Sequence, residues 1–214
     1  MRIFAIELSS KIGSIALVED GRVVAERSWQ ENWKNRRQLF DAMTELAIKW
    51  EDVDHFAVGR GPGAFSGLRI AFSVANALAA PGDKPVCALN SGAALAAHYG
   101  AAQTVVVGDA RRNQLWAGLF AGSELDREFK LLDPAELAGF VPAGALVVSS
   151  DHDRLTELLE PFQTLEEAAP VYPTAGKLGE LVFRQLEKDI APEPFEPLYL
   201  HPPVFVEPRF PTRD

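Results

Sequence analysis

The order of strand and helix signals constrains the fold of this chain more than any single residue does. Ile3-Phe4-Ala5-Ile6 reads as a short buried strand, residues 14–18 as a second and 22–27 as a third. Gly13 falls in the first connection. Asp20-Gly21 is a tight-hairpin dipeptide, because both central positions of the favoured turn need positive φ. The chain therefore opens on an antiparallel meander. The period then changes: Leu39, Phe40, Met43, Leu46, Ala47 and Trp50 recur at helical spacing and predict a helix over 36–50. A strand is expected at 55–58, a helix at 66–80 stopped by Pro81-Gly82, a strand at 86–89, and a helix capped by Ser91 that runs to Tyr99.

The second half follows the same order. Residues 104–108 and 114–120 pair as strands around a turn at 109–113, and 128–132 supplies a third. Asp133-Pro134-Ala135-Glu136 has the cap, first-turn proline and acidic third position of a helix start. A strand at 146–148 and helices at 151–160 and 174–189 follow. A meander and then alternation, met twice, predicts an α/β chain of two ribonuclease-H-like lobes. Each lobe is a mixed sheet with flanking helices, as in actin-like ATPases and sugar kinases, and the division is expected as 1–100 and 101–214.

Composition narrows the function. The net charge is −9, so the chain repels a phosphate backbone and gains little from counterion release. If RNA is the final substrate, another subunit supplies the basic surface. Cys87 is the one cysteine and has no internal partner, which fits a reducing cytoplasm. The apolar run after Met1 stops at Glu7, too soon for a signal peptide or a membrane span. From Pro192 onward the chain holds seven prolines, and this tail is expected to be extended and held by packing.

Residues 59–67 carry the most information. A glycine-rich turn that runs from a strand end into a helix start exposes backbone N–H groups at a positive helix end and suits an anion. Gly59, Gly61 and Ala64 fit the dinucleotide fingerprint formally, but a meander and a helix precede them and Pro62 removes a donor. The Gly-Lys-Ser/Thr of a P-loop is absent. The plainer alternative is a turn whose glycines permit close strand–helix packing.

Gly61-Pro62-Gly63-Ala64-Phe65-Ser66-Gly67-Leu68-Arg69-Ile70 closely resembles the G-P-G-S/A-F-T/S-G-L-R-I/V signature of the TsaB (YeaZ) family. Phe4 to Ser9 resembles that family's first strand, Asp109-Ala110-Arg111 its second-lobe D-A-R motif, and Pro197-Leu198-Tyr199-Leu200 its closing strand. The resemblance spans the chain almost end to end. It implies a non-catalytic, actin-like subunit of the machinery that makes threonylcarbamoyladenosine at position 37 of tRNA. Such a subunit binds and activates a TsaD-like catalytic subunit, is joined by a TsaE-like ATPase, and meets tRNA only through the complex. It implies no cofactor for the isolated chain, and ATP or ADP at the complex interface.

The residues agree on independent grounds. His55, His98, His152 and His201 form no H-x-x-x-H pair, so no metal site of the transferase type is expected, nor a glycoprotease-like metallopeptidase. Glu7 stands where active actin-like kinases place a magnesium-organising aspartate, and its longer side chain disturbs octahedral geometry. The nucleotide-binding candidates are Glu7, Gly61, Gly63 and Asp109. The plainer roles are hydrogen bonding to adjacent turns for Glu7 and capping of the turn before Arg111 for Asp109. The alternative function is an active actin-like phosphotransferase. Before the first helix, Arg36-Arg37-Gln38 stands where many relatives have a histidine–serine pair.

The helix at 66–80 has hardly any polar side, and a helix apolar all round must be covered all round. Leu39, Phe40, Met43, Leu46 and Trp50 of one helix, with Leu68, Ala71, Phe72, Ala75 and Leu78 of the other, are therefore expected to form a partner face. That face serves self-pairing into a dimer or pairing with the TsaD-like subunit, and buries on the order of 800 Å² per partner.

Overall fold

The computed structural model describes residues 1–31, 37–162 and 171–202. Two sheets carry the architecture. The first has the order β3-β2-β1-β4-β5, from β1 (Arg2–Glu7), β2 (Ile12–Glu19), β3 (Arg22–Gln30), β4 (His55–Gly59) and β5 (Val86–Leu89). β1, β2 and β3 pair antiparallel, whereas β1–β4 and β4–β5 are parallel. The second has the order β8-β7-β6-β9, from β6 (Gln103–Arg111), β7 (Gln114–Ala121), β8 (Glu124–Leu132) and β9 (Leu146–Val148). Here too the first three strands are antiparallel and the fourth is parallel to the first of them. The meander-then-crossover order thus recurs in both halves, and the fold is a pair of ribonuclease-H-like lobes.

Asp20 and Gly21 make the first hairpin with φ of 45° and 76°. Gly13 lies inside β2 rather than in the connection before it. β1 is apolar on successive residues because both faces of its sheet are covered. On one face, Phe4, Ile6, Phe56 and Val58 meet α1 (Gln38–Leu46) and α2 (Phe65–Ala79). On the other, Ile3, Ala5 and Val18 join α3 (Ser91–Tyr99) and α6 (Ala175–Glu187) in a central core that takes in Trp116, Phe120 and Phe129 of the second sheet. The far face of the second sheet packs on α4 (Leu137–Phe140) and α5 (His152–Leu159).

Several boundaries differ from expectation. α1 stops at Leu46 because Ala47 turns left-handed at φ 47°, so Trp50 leaves the helix. It enters a short 3-10 turn, Trp50–Asp52, and its ring meets Phe4 edge-on at 5.1 Å. Residue 36, where that helix was expected to begin, lies outside the described residues, as does the tail beyond Pro202. The cap of α3 is Asn90, whose Oδ1 accepts the Ala93 N–H at 2.8 Å, and not Ser91. The 100/101 division separates the two sheets but not the helices. α6 returns to the first sheet, where its first N–H groups are taken by Ser14 Oγ and Glu26 Oε1, both at 2.8 Å.

Candidate functional site

The glycine-rich loop leaves β4 and is tied down residue by residue. Arg60 N–H donates to Leu89 O at 2.9 Å, and Ala64 N–H to Ser9 O at 2.7 Å. Gly61, at φ 91°, donates its N–H to Ser91 Oγ at 3.1 Å and accepts from Ser91 N–H at 2.8 Å. A Cβ on Gly63 would strike the Ser9 carbonyl, and one on Gly67 the Leu8 carbonyl. These glycines press the start of α2 against the turn that follows β1. The Gly61 N–H, a nucleotide candidate, is consumed inside the protein. Gly63 does face the cleft described next.

A cleft of about 1330 Å³ lies between the lobes. Its walls are the turn after β1, the glycine loop, the β6–β7 hairpin and the start of α5, and residues 198–202 border it. Asp109 stands in this cleft, but its carboxylate is occupied. Oδ1 accepts the Arg111 N–H at 2.8 Å, and Oδ2 meets the guanidinium groups of Arg111 and Arg154 at 3.0 and 3.2 Å. Arg111, Arg112 and Asn113 all adopt positive φ at the hairpin tip. Lys11 reaches across to Asp153 at 2.9 Å. That hydrogen bond raises the Lys11 ammonium pKa and lowers that of the Asp153 carboxyl.

Glu7 does not reach the cleft. It is fully buried, and its Oε1 accepts the Ser9 N–H at 2.7 Å. Its Oε2 fills the space that a side chain on Gly59 would take and has no hydrogen-bond partner. Burial pushes this carboxyl above the usual carboxylate range, opposed by hydrogen bonding from Ser9. A carboxyl sealed inside the fold, where burial disfavours its charged form, offers no accessible oxygen to a hard divalent cation. Magnesium with nucleotide phosphates therefore does not fit the carboxylates present, since one is sealed inside and the other is held by two arginines. Among the described residues, no group of three or more His, Cys, Asp or Glu side chains converges on a metal position.

The partner-face residues divide sharply. Leu39, Leu68, Ala71, Phe72 and Ala75 are buried within this chain's own core and offer little to a partner. The reason is the stripe 71, 72, 75 and 79, which packs with β1 and β4 and is spent on the sheet, while Leu68 is buried beside Gly61 of the loop. Met43, Leu46, Trp50 and Leu78 are half-buried at its edges. What remains outward is Phe40, Phe65 and Ile70, at 54%, 58% and 39% exposure. The motif positions Ser66 and Arg69 are exposed beside them, Arg69 lying over the Phe65 ring at 5.3 Å, and Pro62 is buried.

Sequence reasoning missed Arg60. Its guanidinium is almost buried, and its partners come from the tail: Glu196 O at 3.0 Å and Glu193 Oε2 at 3.2 Å. Glu193 Oε1 in turn accepts from Asn90 Nδ2 at 2.7 Å. The available signal was a lone cation in a glycine-rich run and a Glu-Pro-Phe-Glu segment far along the chain, with nothing in sequence to link them.

Comparison with known proteins agrees with this geometry. The family model for tRNA N6-adenosine threonylcarbamoyltransferase (TsaD) matches residues 25–132, half of the chain. The Escherichia coli (strain K12) protein described as tRNA threonylcarbamoyladenosine biosynthesis protein TsaB is 27% identical over 202 residues, which cover 87% of this chain and 80% of that protein. The solved structure of YeaZ from Pseudomonas aeruginosa is 26% identical with a TM-score of 0.76, covering 93% of this chain and 99% of that one. An activator of 2-hydroxyisocaproyl-CoA dehydratase from Clostridium difficile shares the fold alone, at 10% identity and a TM-score of 0.51 over 88% of this chain and 97% of its own.

Proposed function

The chain belongs to the TsaB/YeaZ branch of the tRNA N6-adenosine threonylcarbamoyltransferase family and takes part in tRNA threonylcarbamoyladenosine biosynthesis; from that premise we propose that it does so as a non-catalytic subunit that binds and activates the TsaD-type transferase. One observation carries the non-catalytic half. Glu7 and Asp109, the carboxylates an actin-like phosphotransferase would turn toward metal and phosphate, are both engaged internally. In this reading the chain has no cofactor of its own, and ATP or ADP belongs at the interface with the transferase. A TsaE-like ATPase joins the pair, tRNA is met through the assembly, and the site of action is the cytoplasm.

The partner surface in this reading is the outer flank of α1 and α2. α1 lies over β2 and β3, and α2 over β1, β4 and β5, so both helices cover one face of one sheet. Phe40, Phe65 and Ile70 project from that layer. Leaving a large apolar side chain in water forfeits roughly 1.5–3 kcal/mol, which a partner recovers. Exposed Ser73, Ala77 and Ala80 are small enough for another helix to approach closely.

Two measurements test the proposal. Calorimetry with ATP and Mg²⁺ on the purified chain is expected to give no binding; tight binding with hydrolysis overturns the non-catalytic role. Co-purification with the organism's TsaD-type protein is expected to be lost in Ile70→Glu and kept in Val24→Glu, which charges an exposed apolar residue on β3. Equal recovery of both variants overturns the partner face. Both charges are tolerated by the monomer because neither Ile70 nor Val24 is part of its core.

A further inference from the structure

The tail from Ile190 to Pro202 crosses four parts of the molecule. At its start, Glu193 bridges antiparallel to Ala88 and so extends the β5 edge of the first sheet. The Arg60 guanidinium clamps it there through the Glu193 carboxylate and the Glu196 carbonyl. Phe195 then stacks against Phe72 with ring centroids 4.8 Å apart, and Tyr199 against Phe65 at 5.0 Å, so the tail lies along α2. Between those two contacts, Leu198 N–H donates to Arg60 O at 2.7 Å. Finally, His201 Nε2 reaches Ala110 O at 2.7 Å. A carbonyl only accepts, so this nitrogen carries the proton. Ala110 belongs to the β6–β7 hairpin of the other lobe.

We infer that this segment is a strap that locks the two lobes together, so that the cleft is a fixed joint and not a working hinge. Two lobes joined only by short connections move relative to one another unless a large apolar interface or added ties prevent it. Both restraints are present here. α3 of the first lobe is wedged on the second sheet, with so little space that a Cβ on Gly92 would lie 2.7 Å from the Phe129 ring and 2.9 Å from the Phe120 ring. The strap adds a tie from the glycine loop to the β6–β7 hairpin, and Lys11–Asp153 adds a second bridge between the lobes. Lifting the strap would break the Arg60 hydrogen bonds to the Glu193 carboxylate and the Glu196 carbonyl together, and these favour the closed arrangement. The consequence is a rigid platform that presents the outer flank of α2 at one angle. The lock stands whether or not that flank receives the transferase.

Inter-lobe distances test this directly. Spin labels at Asn76→Cys on α2 and Glu157→Cys on α5, both exposed, are read by double electron–electron resonance in a Cys87→Ala background. The full chain is expected to give one narrow distance population. Adding His201→Ala with Lys11→Met, which removes both polar bridges and leaves the core intact, is expected to widen that distribution at least twofold. Glu193→Ala is expected to speed proteolysis within 190–202 at least tenfold, while thermal unfolding stays cooperative. A broad distribution in the parent, or an unchanged width in the double variant, overturns the lock. Recovery of the transferase by the same variants is scored separately, so failure of the lock and failure of the partner reading are told apart.

Discussion

Glu7→Gln is expected to stabilise this protein at neutral pH, because it replaces a buried carboxyl that has an unpartnered oxygen. Glu7 is fully buried, one oxygen accepts the Ser9 N–H, and the other has no partner. Glutamine keeps the first bond through its carbonyl oxygen and places an amide where the orphaned oxygen was, next to the Ser91 hydroxyl. Relieving one buried unsatisfied group is worth about 1–3 kcal/mol. The sign with pH follows from the raised carboxyl pKa. A group whose folded pKa lies above its unfolded value contributes stability that is complete below the unfolded pKa, near 4.5, and is lost as pH rises through the folded pKa. Wild type should therefore match or approach the variant in acid and fall behind it as pH rises. Urea denaturation of both proteins from pH 4 to 8 measures the difference, in which every other carboxylate cancels. At pH 7 the variant should melt about 2–4 °C higher for each kcal/mol gained in a chain of this size. A variant less stable than wild type at pH 7, or a difference that is flat with pH, would show that Glu7 is charged in the fold and held by contacts other than those described.

Two further substitutions probe the frame around the site. Gly67→Ala gains about 0.5–1 kcal/mol of helix propensity but drives a methyl into the Leu8 carbonyl, which cannot rotate away. The net expectation is a loss of about 1–2 kcal/mol, seen as a lower urea midpoint with an unchanged slope, and a rise in midpoint would refute it. Asn90→Ala removes the cap of α3 and the amide that holds Glu193, and should cost about 1–2 kcal/mol. Asn90→Asp should restore the cap but set a second carboxylate against Glu193, so that its stability deficit shrinks as pH falls below about 4; a deficit that grows in acid would refute the contact.

The fold was legible because its signals are local. Asp20-Gly21 dictates the first hairpin, and the switch from period two to helical spacing after β3 marks the crossover. What escaped reading depends on which side of an element a neighbour occupies. α2 looks uniformly apolar in sequence, yet Ala71, Phe72 and Ala75 are used by the sheet beneath it, and Phe72 also receives Phe195 from a tail more than a hundred residues away. No periodicity within α2 records that. The helix over 36–50 was read too long because Ala47, a strong helix former, is forced left-handed by a chain that must turn Ile48 and Trp50 back into the core. In the site, Gly63 borders the cleft, whereas Glu7 and Asp109 were legible only as carboxylates. Whether a carboxylate faces a ligand or its own backbone is set by turns, and those turns are fixed by contacts between segments.

The same glycines decide which way the site can work. Gly63 and Gly67 let the start of α2 touch the backbone at Leu8 and Ser9, and Gly59 leaves the space that the Glu7 carboxyl fills. A frame drawn in this tightly has exchanged the room a metal and its waters need for direct contacts between strand, loop and helix. The exchange also explains the position of Arg60. With the loop immobilised by Leu89, Ser91 and Ser9, its one long cation is held at a fixed point, where it can anchor a tail against α2 and the opposite lobe. The closed space around Glu7 and the braced outer face are thus two results of one packing solution. A variant that reopened the loop should weaken the partner face before it created any affinity for nucleotide.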